Sequence, residues 1–268
     1  MLYKKLGNTD LEIPEIGLGT WNYKGGVEPL RKGIELGATL IDTAEGYYTE
    51  DIVGEAIKDI RDKVIIATKV SGRNLAYDNV FSSCEQSLSK LQTDYIDLYQ
   101  IHWPNSAYPI KQTMKALEKL IDSGVVRYVG VSNFSVSEFK EAQHYFPNYK
   151  IVSNQVLYNL NSREIEYDLL PYCVQNDVSI LAYTPLDSGR LCKSSMLTKE
   201  KKYKMLDEIS NNLKKTSGQV ALNWCNSHEN VVSIPKSDSV ARTVENCGAS
   251  GWQLSKEQID ILNEIFKL

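Results

Sequence analysis

Histidine is scarce in this 268-residue sequence, with His102, His144 and His228 the whole supply. A metal hydrolase would need several histidines at strand ends, and His144 and His228 fall within or beside helical segments, so ligand count excludes that chemistry. The five cysteines (Cys84, Cys173, Cys192, Cys225, Cys247) are odd in number and contain no Cys-x-x-Cys pair. That argues against a disulfide framework or a zinc site and points to a reducing, cytoplasmic setting. Charge of one sign is lacking as well: a formal net charge of -4 is small and of the wrong sign for nucleic acid or an anionic membrane. Neither a signal peptide nor an apolar run long enough to span a membrane is present. A Gly-x-Gly-x-x-Gly turn is missing too, since Gly17-Leu-Gly19 lacks the third glycine and the following helix start. Repeats and low-complexity tracts are absent, and the lysine-rich stretch 199–204 reads as a solvated face.

What is present is an alternation. Apolar runs recur at 16–19, 39–41, 64–68, 95–101, 125–131, 151–156, 178–182 and 231–234, with helical spacing between them. Met114, Leu117, Leu120 and Ile121 share one helical face that Gly124 closes, and Cys84 joins Val80, Phe81, Leu88 and Leu91 on another. Eight strand-helix units with no linker predict one α/β domain over residues 1–268, a (β/α)8 TIM barrel, which typically takes about 250 residues. Tyr3-Lys-Lys-Leu and Leu11-Glu-Ile flank Gly7-Asn-Thr-Asp10 and read as an N-terminal β-hairpin plugging the barrel bottom. Residues 254–266 read as a C-terminal closing helix, and 187–204, without clear period, as a long mobile loop.

Reactive residues of such a barrel project from the C-terminal ends of its strands. Asp42 ends the second run, Tyr47 follows in the loop, Lys69 ends Ile65-Ile-Ala-Thr-Lys, and His102 ends Leu98-Tyr-Gln-Ile-His. A phenol with an ordinary pKa of about 10 is a weak acid, but two unit charges about 4 Å apart at an effective dielectric of about 20 interact by roughly 4 kcal/mol. A Lys69 cation is therefore expected to lower the Tyr47 pKa, with Asp42 orienting the lysine and His102 directing a carbonyl oxygen. The competing reading is a rim ion pair, Asp42 with Lys69, beside a core histidine.

Leu40-Ile-Asp-Thr-Ala-Glu-Gly-Tyr47, Ala67-Thr-Lys69 and Ile101-His-Trp-Pro104 together resemble the aldo-keto reductase superfamily. The resemblance runs from Ile16-Gly-Leu-Gly-Thr-Trp21 through Val129-Gly-Val-Ser-Asn-Phe134, Asn154-Gln155 and Ala182-Tyr-Thr-Pro-Leu186 to Ile234-Pro-Lys-Ser237. It implies reduction of aldehydes or ketones by NADPH, giving NADP+, with Asp42, Tyr47, Lys69 and His102 as the catalytic tetrad and no metal. It also implies that Ser132, Asn133 and Gln155 hold the nicotinamide carboxamide and that Tyr183 stacks on the ring. Thr184, Leu186 and Ser188 match pyrophosphate contacts. Lys236, Ser237 and Arg242 match the 2′-phosphate grip, and Glu245 and Asn246 lie near the adenine. Trp21 and Trp103 join Tyr47 around the substrate pocket, and the family-like oligomeric state is the monomer. Some relatives act as cofactor-sensing or structural modules on the same barrel, which is the alternative function.

Three departures bear on specificity. Asp238 stands where an uncharged residue commonly follows the Lys-Ser pair, so its carboxylate is expected to oppose the 2′-phosphate. Tyr48 and Thr49 follow the tetrad tyrosine where the family often has glycine and a small polar residue. The sequence ends at Leu268, after the closing helix, where the family carries a long specificity loop, so an open substrate mouth is expected.

Overall fold

The computed structural model describes residues 1–193 and 200–267. Its first element is the predicted hairpin: β1 (Tyr3–Lys5) pairs antiparallel with β2 (Glu12–Pro14), placing Lys4 opposite Ile13. Gly7 turns the chain with φ +55°, and a Cβ there would lie 2.5 Å from the carbonyl oxygen of Val152, so only glycine lets the hairpin seat this closely. Leu6 and Ile13 then reach into the barrel and pack against Leu40, Ala67, Leu98, Val152, Leu181 and Val232. Lys4 fixes the plug from the other side, donating its ammonium to the carbonyls of Asn226, His228 and Val231 at 2.7, 2.7 and 2.8 Å.

All eight expected strands form. They are β3 (Leu18–Gly19), β4 (Leu40–Asp42), β5 (Ile65–Val70), β6 (Ile96–Ile101), β7 (Val126–Ser132), β8 (Ile151–Leu157), β9 (Ser179–Tyr183) and β10 (Val231–Ser233). Each pairs in parallel with its sequence neighbour. Parallel bridges from Ile16 to Ser233 and from Gly19 to Lys236 join the first strand to the last and close the sheet into a barrel. Because side chains alternate along a strand, residues two apart share the interior face. Leu40, Ala67, Leu98 and Leu181 form the apolar floor against the plug. Two residues further on come Asp42, Lys69, Gln100 and Tyr183, a polar layer nearer the C-terminal mouth.

Helices return the chain between strands. They are α1 (Val27–Glu35), α2 (Glu50–Ile57), α3 (Tyr77–Leu91), α4 (Ile110–Asp122), α5 (Val136–His144), α6 (Leu169–Gln175), α7 (Lys201–Leu213), α8 (Ser217–Cys225), α9 (Val240–Cys247) and α10 (Lys256–Ile265). Their apolar faces press on the outer face of the sheet: Val80 and Cys84 from α3 meet Met114, Leu117 and Leu120 from α4 in one core with Tyr99 and Val129. Each such side chain contributes about 1.5–3 kcal/mol on burial. Gly124, at φ +76°, stops α4 as its sequence suggests, its amide bonding the Ile121 carbonyl at 2.8 Å. Capping boxes start α5 (Ser135 with Glu138), α8 (Thr216 with Gln219) and α10 (Ser255 with Gln258). The closing helix is thus where the sequence places it.

One expectation is corrected. The stretch 187–204 is not one long loop: Asp187–Cys192 winds into 3-10 turns and α7 begins at Lys201. Asp187 organises the turns, accepting from Asn161 at 2.8 Å and from Arg190 at 2.9 Å. The apolar period that defines α7, Tyr203, Leu206 and Ile209, lies mostly beyond 204 and so escaped the sequence window. The remainder of that expected loop, 194–199, lies outside the described residues, as does Leu268.

Candidate active site

Three strand ends and one turn bring the expected reactive residues together. Asp42 closes β4 in register with Ala67, and Lys69 lies two residues further along β5, in register with Gln100. Lys69 is fully buried and donates to Asp42 Oδ1 at 2.7 Å and to the Thr43 carbonyl at 2.8 Å. This pair is sealed inside the barrel, which rules out the rim ion pair. Tyr47 ends the 3-10 turn Glu45–Tyr47, anchored by Glu45 Oε1, which accepts from the Ser71 amide at 2.5 Å and from Asn74 Nδ2 at 3.0 Å. The phenol oxygen lies 3.3 Å from His102 Nε2 and 3.5 Å from Lys69 Nζ, and the two rings meet edge to face at 5.2 Å.

Electrostatics depart from the sequence expectation in one respect. Burial pushes the Tyr47 phenol up, and the Asp42 carboxylate adds to that shift. The Lys69 ammonium, 3.5 Å from the phenol oxygen but held closer to Asp42 at 2.7 Å, does not outweigh these two effects. Burial lowers Lys69 while Asp42 opposes the change. His102 is pushed down to about 4, by burial first and by the Lys69 charge second, so its imidazole is neutral at neutral pH.

The polar layer continues around the mouth. Gln155, on β8, is buried and donates Nε2 to Asp42 Oδ2 at 2.7 Å. Its Oε1 accepts from no described residue. Ser132 Oγ donates to the Gln155 carbonyl at 2.8 Å, so its proton is already engaged. Asn133, in a left-handed conformation at φ 62°, donates to Ser132 Oγ and to the His102 carbonyl and accepts from the Tyr183 hydroxyl at 3.0 Å. Beyond Tyr183, Thr184, Asp187, Ser188 and Gly189 all have positive φ. The chain winds tightly here, the Asp187 and Gly189 amides bonding the Thr184 and Leu186 carbonyls at 3.0 and 2.9 Å.

Following β10, Lys236 donates to Asp238 Oδ2 at 2.6 Å, and Asp238 Oδ1 accepts from the Lys24 amide at 2.9 Å. Ser237 donates to the Ser239 carbonyl, and Ser239 caps α9 at the Arg242 amide. The Arg242 guanidinium lies 3.6 Å from Glu245 and is mostly exposed, whereas Asn246 is buried. Leu186 packs partly buried against the core. Trp21 and Trp103 are 64% and 52% exposed, so they are not core packing. Among the described residues there is no group of three or more side chains able to hold a metal ion. No helix among them is long and apolar enough to cross a membrane.

Residues 15–267 match the model of the Aldo/keto reductase family. The chain belongs to that family. It is 38% identical over 267 residues to methylglyoxal reductase YeaE of Escherichia coli (strain K12), covering 96% of this chain and 92% of the relative. It is 34% identical over 263 residues to glyoxal reductase of Bacillus subtilis (strain 168), covering 96% and 90%. Among solved structures, the thermostable aldo-keto reductase Tm1743, crystallised with the inhibitor epalrestat, superposes with a TM-score of 0.91 at 40% identity, covering 99% of this chain and all of the other. An aldo-keto reductase from Klebsiella pneumoniae in complex with NADPH gives 0.89 at 35% identity, covering 99% and 96%.

Two aldo-keto reductase site features were not singled out from the sequence. Gln100 Nε2 lies 3.4 Å from Asp42 Oδ2, a third neighbour for that carboxylate. Its signal was the period of two, since it stands two residues before His102. Thr20, Thr43 and Thr49 form a buried hydroxyl cluster behind Asp42. Nothing in their spacing announces it, because they come from different elements.

Proposed function

We propose that this chain is an NADPH-dependent carbonyl reductase that converts small aldehydes and ketones, dicarbonyls such as methylglyoxal and glyoxal among them, to alcohols, with Tyr47 as proton donor. The observation that carries the reading is Tyr47 held 3.3 Å from His102 and 3.5 Å from a fully buried, Asp42-paired Lys69.

The residues at the mouth fit the cofactor. Gln155 Oε1 is an acceptor without a protein partner among the described residues, as an amide-bearing ring needs. The left-handed run that includes Ser188 lies where the resemblance puts the pyrophosphate, and Lys236 and Arg242 supply two cations for a 2′-phosphate. Asn133 and Ser132 complete the nicotinamide end, Tyr183 lies beside them, Thr184 and Leu186 lead into the pyrophosphate turn, and Ser237, Glu245 and Asn246 line the adenosine end. When bound, NADPH supplies a hydride to the carbonyl carbon.

The chain's own residues supply the proton. Burial keeps Tyr47 protonated until a carbonyl oxygen arrives to take its proton. Lys69 then stabilises the phenolate left behind, with Asp42 and the Thr43 carbonyl keeping the ammonium in place. Neutral His102, in reach of the same phenol oxygen, directs the substrate oxygen by a hydrogen bond. Acid catalysis of this kind contributes about 10²- to 10⁴-fold. Trp21 and Trp103, exposed near the strand ends, give the pocket apolar walls. Five free thiols suit the cytoplasm, and the monomer is the proposed state.

NADPH absorbance followed against methylglyoxal and a panel of simple aldehydes tests the reading. Tyr47→Phe is expected to keep NADPH affinity and lose at least about 10²-fold in turnover. Full activity in that variant overturns the assignment of Tyr47, and tight NADPH binding without turnover in the unaltered protein returns the case for a non-catalytic module.

A further inference from the structure

Thr49 precedes α2 at the position where a threonine side chain ordinarily caps the helix, yet its hydroxyl makes no cap bond. It lies instead 3.0 Å from Thr20 Oγ1 and 3.0 Å from Thr43 Oγ1, and all three residues are buried. Thr20 Oγ1 donates to the Asp42 carbonyl at 3.0 Å. A hydroxyl has one proton, so the directions follow. Thr20 gives its proton to Asp42 and must accept from Thr49; Thr49 has then used its proton and must accept from Thr43. The chain of donors runs from Thr43 through Thr49 and Thr20 to Asp42, and so starts and ends on two consecutive residues.

Those two residues are the ones that hold the lysine. Asp42 contributes Oδ1 and Thr43 its carbonyl to Lys69 Nζ. Thr49 is also two residues beyond Tyr47, separated from it only by Tyr48 in a left-handed conformation at φ 57°. One hydroxyl therefore ties the turn that carries the phenol to the peptide that carries both acceptors of the ammonium. Glu50, the next residue, adds a second tie, accepting from Thr68 Oγ1 at 2.7 Å one residue before Lys69.

We infer that Thr49 is a positioning residue for the proton-donating site: through the Thr43–Thr49–Thr20 hydroxyl chain it sets Tyr47 against Lys69. The inference rests on the reductase reading above. Its geometric basis is that the ends of the chain are fixed by the barrel while Tyr47 stands on a short turn. Without the hydroxyl, the 3.5 Å separation of Tyr47 from Lys69 loses the tether that follows Tyr47 in the chain and links directly to Thr43, leaving Glu45 and Glu50 to hold the turn.

Two substitutions separate the hydroxyl from the methyl group. Thr49→Val keeps the shape and removes the hydroxyl; Thr49→Ser keeps the hydroxyl and removes the methyl. Turnover of methylglyoxal with NADPH, NADPH Kd by tryptophan fluorescence quenching, and thermal midpoint are measured on each. Thr49→Val is expected to lower kcat about tenfold with KM and Kd unchanged, the size of one well-formed hydrogen bond, and Thr49→Ser to restore it. If Thr49→Ser is the more damaged of the two, or if Thr49→Val loses thermal stability alone with kcat intact, the group is packing and the inference falls. Should Thr49→Val fail to fold, Thr20→Val breaks the chain at its other end, and an unchanged kcat there overturns it equally. No turnover in the unaltered protein defeats the reductase reading itself, and this inference with it.

Discussion

Gln155 donates its amide nitrogen to Asp42 Oδ2 at 2.7 Å, so a residue assigned by resemblance to the nicotinamide is also a direct neighbour of the carboxylate that pairs with Lys69. Removing it would leave that oxygen with only Gln100, at 3.4 Å. A hydrogen bond to a charged group contributes about 1.5–3 kcal/mol. Gln155→Leu is therefore expected to weaken NADPH binding about tenfold and to lower kcat by a similar factor. Fluorescence titration and single-turnover kinetics on one preparation check the pair. A change in Kd alone would mean that Gln155 serves the cofactor and leaves Asp42 indifferent.

The pH dependence has a definite sign. His102 is pushed down to about 4 from an ordinary 6.5. The activity profile is accordingly expected to be flat across the usual imidazole range, without an inflection near 6.5. For stability, the unfolded chain takes up a proton on His102 below 6.5 that the folded chain refuses until about 4, so folding is progressively weakened as pH falls between those values and the loss is complete below them. His102→Gln is expected to flatten that part of the stability curve, which thermal melts between pH 4 and 7 would show. An activity inflection near 6.5 that disappears in His102→Gln would contradict the assignment.

The barrel was legible because its signal is local and periodic. Each run, such as Ile96–Ile101, is short, apolar and followed by a helix with its own period, and the hairpin announces itself through Gly7-Asn-Thr-Asp10. The proximity of the candidate residues was legible for a related reason: strand ends project into the mouth, so Asp42, Lys69 and His102 could be named as candidates from position. What could not be read was electrostatic balance and side-chain direction. Lys69 looked like the cation that acidifies Tyr47, but its distance to Asp42 is shorter than its distance to the phenol, and that comparison exists only in three dimensions. The threonine cluster likewise joins residues 20, 43 and 49, whose proximity depends on the barrel closing.

Asp238 illustrates a departure whose consequence is geometric. Its carboxylate takes the Lys236 ammonium at 2.6 Å and holds the Lys24 amide at 2.9 Å. Asp238→Asn keeps an oxygen for Lys24 but removes the charge that competes with an anion at Lys236. NADPH affinity is expected to rise by about tenfold, with NADH affinity unchanged, since only the former carries a 2′-phosphate. Equilibrium titration with both cofactors checks it; an equal change for both would assign Asp238 to loop structure and not to selectivity.

At the opposite end of the barrel, a charge cluster provides the contrast that separates folding from chemistry. Asp97, buried near the start of β6, accepts from Arg61 at 2.7 Å, from Arg127 at 2.9 Å and from the Ile66 amide at 2.9 Å, and both guanidinium groups lie over the Tyr95 ring. Arg61 is the more enclosed cation, with 14% of its side chain exposed. Asp97→Ala would take the counter-charge from Arg61, leaving it only the neutral oxygens of Thr93, Val64 and Tyr95, and would remove the acceptor of the Ile66 amide; breaking a buried pair in this way costs about 3–5 kcal/mol. For a chain of this size that corresponds to a fall in Tm of roughly 10 °C. Because barrel chemistry gathers at the C-terminal ends of the strands and Asp97 stands at the other end, kcat and NADPH Kd measured below the transition are expected to stay within about twofold of the unaltered protein. Urea denaturation beside steady-state kinetics decides it: a kcat that falls while the urea midpoint holds would place Asp97 in communication with the mouth, against the separation argued from its position.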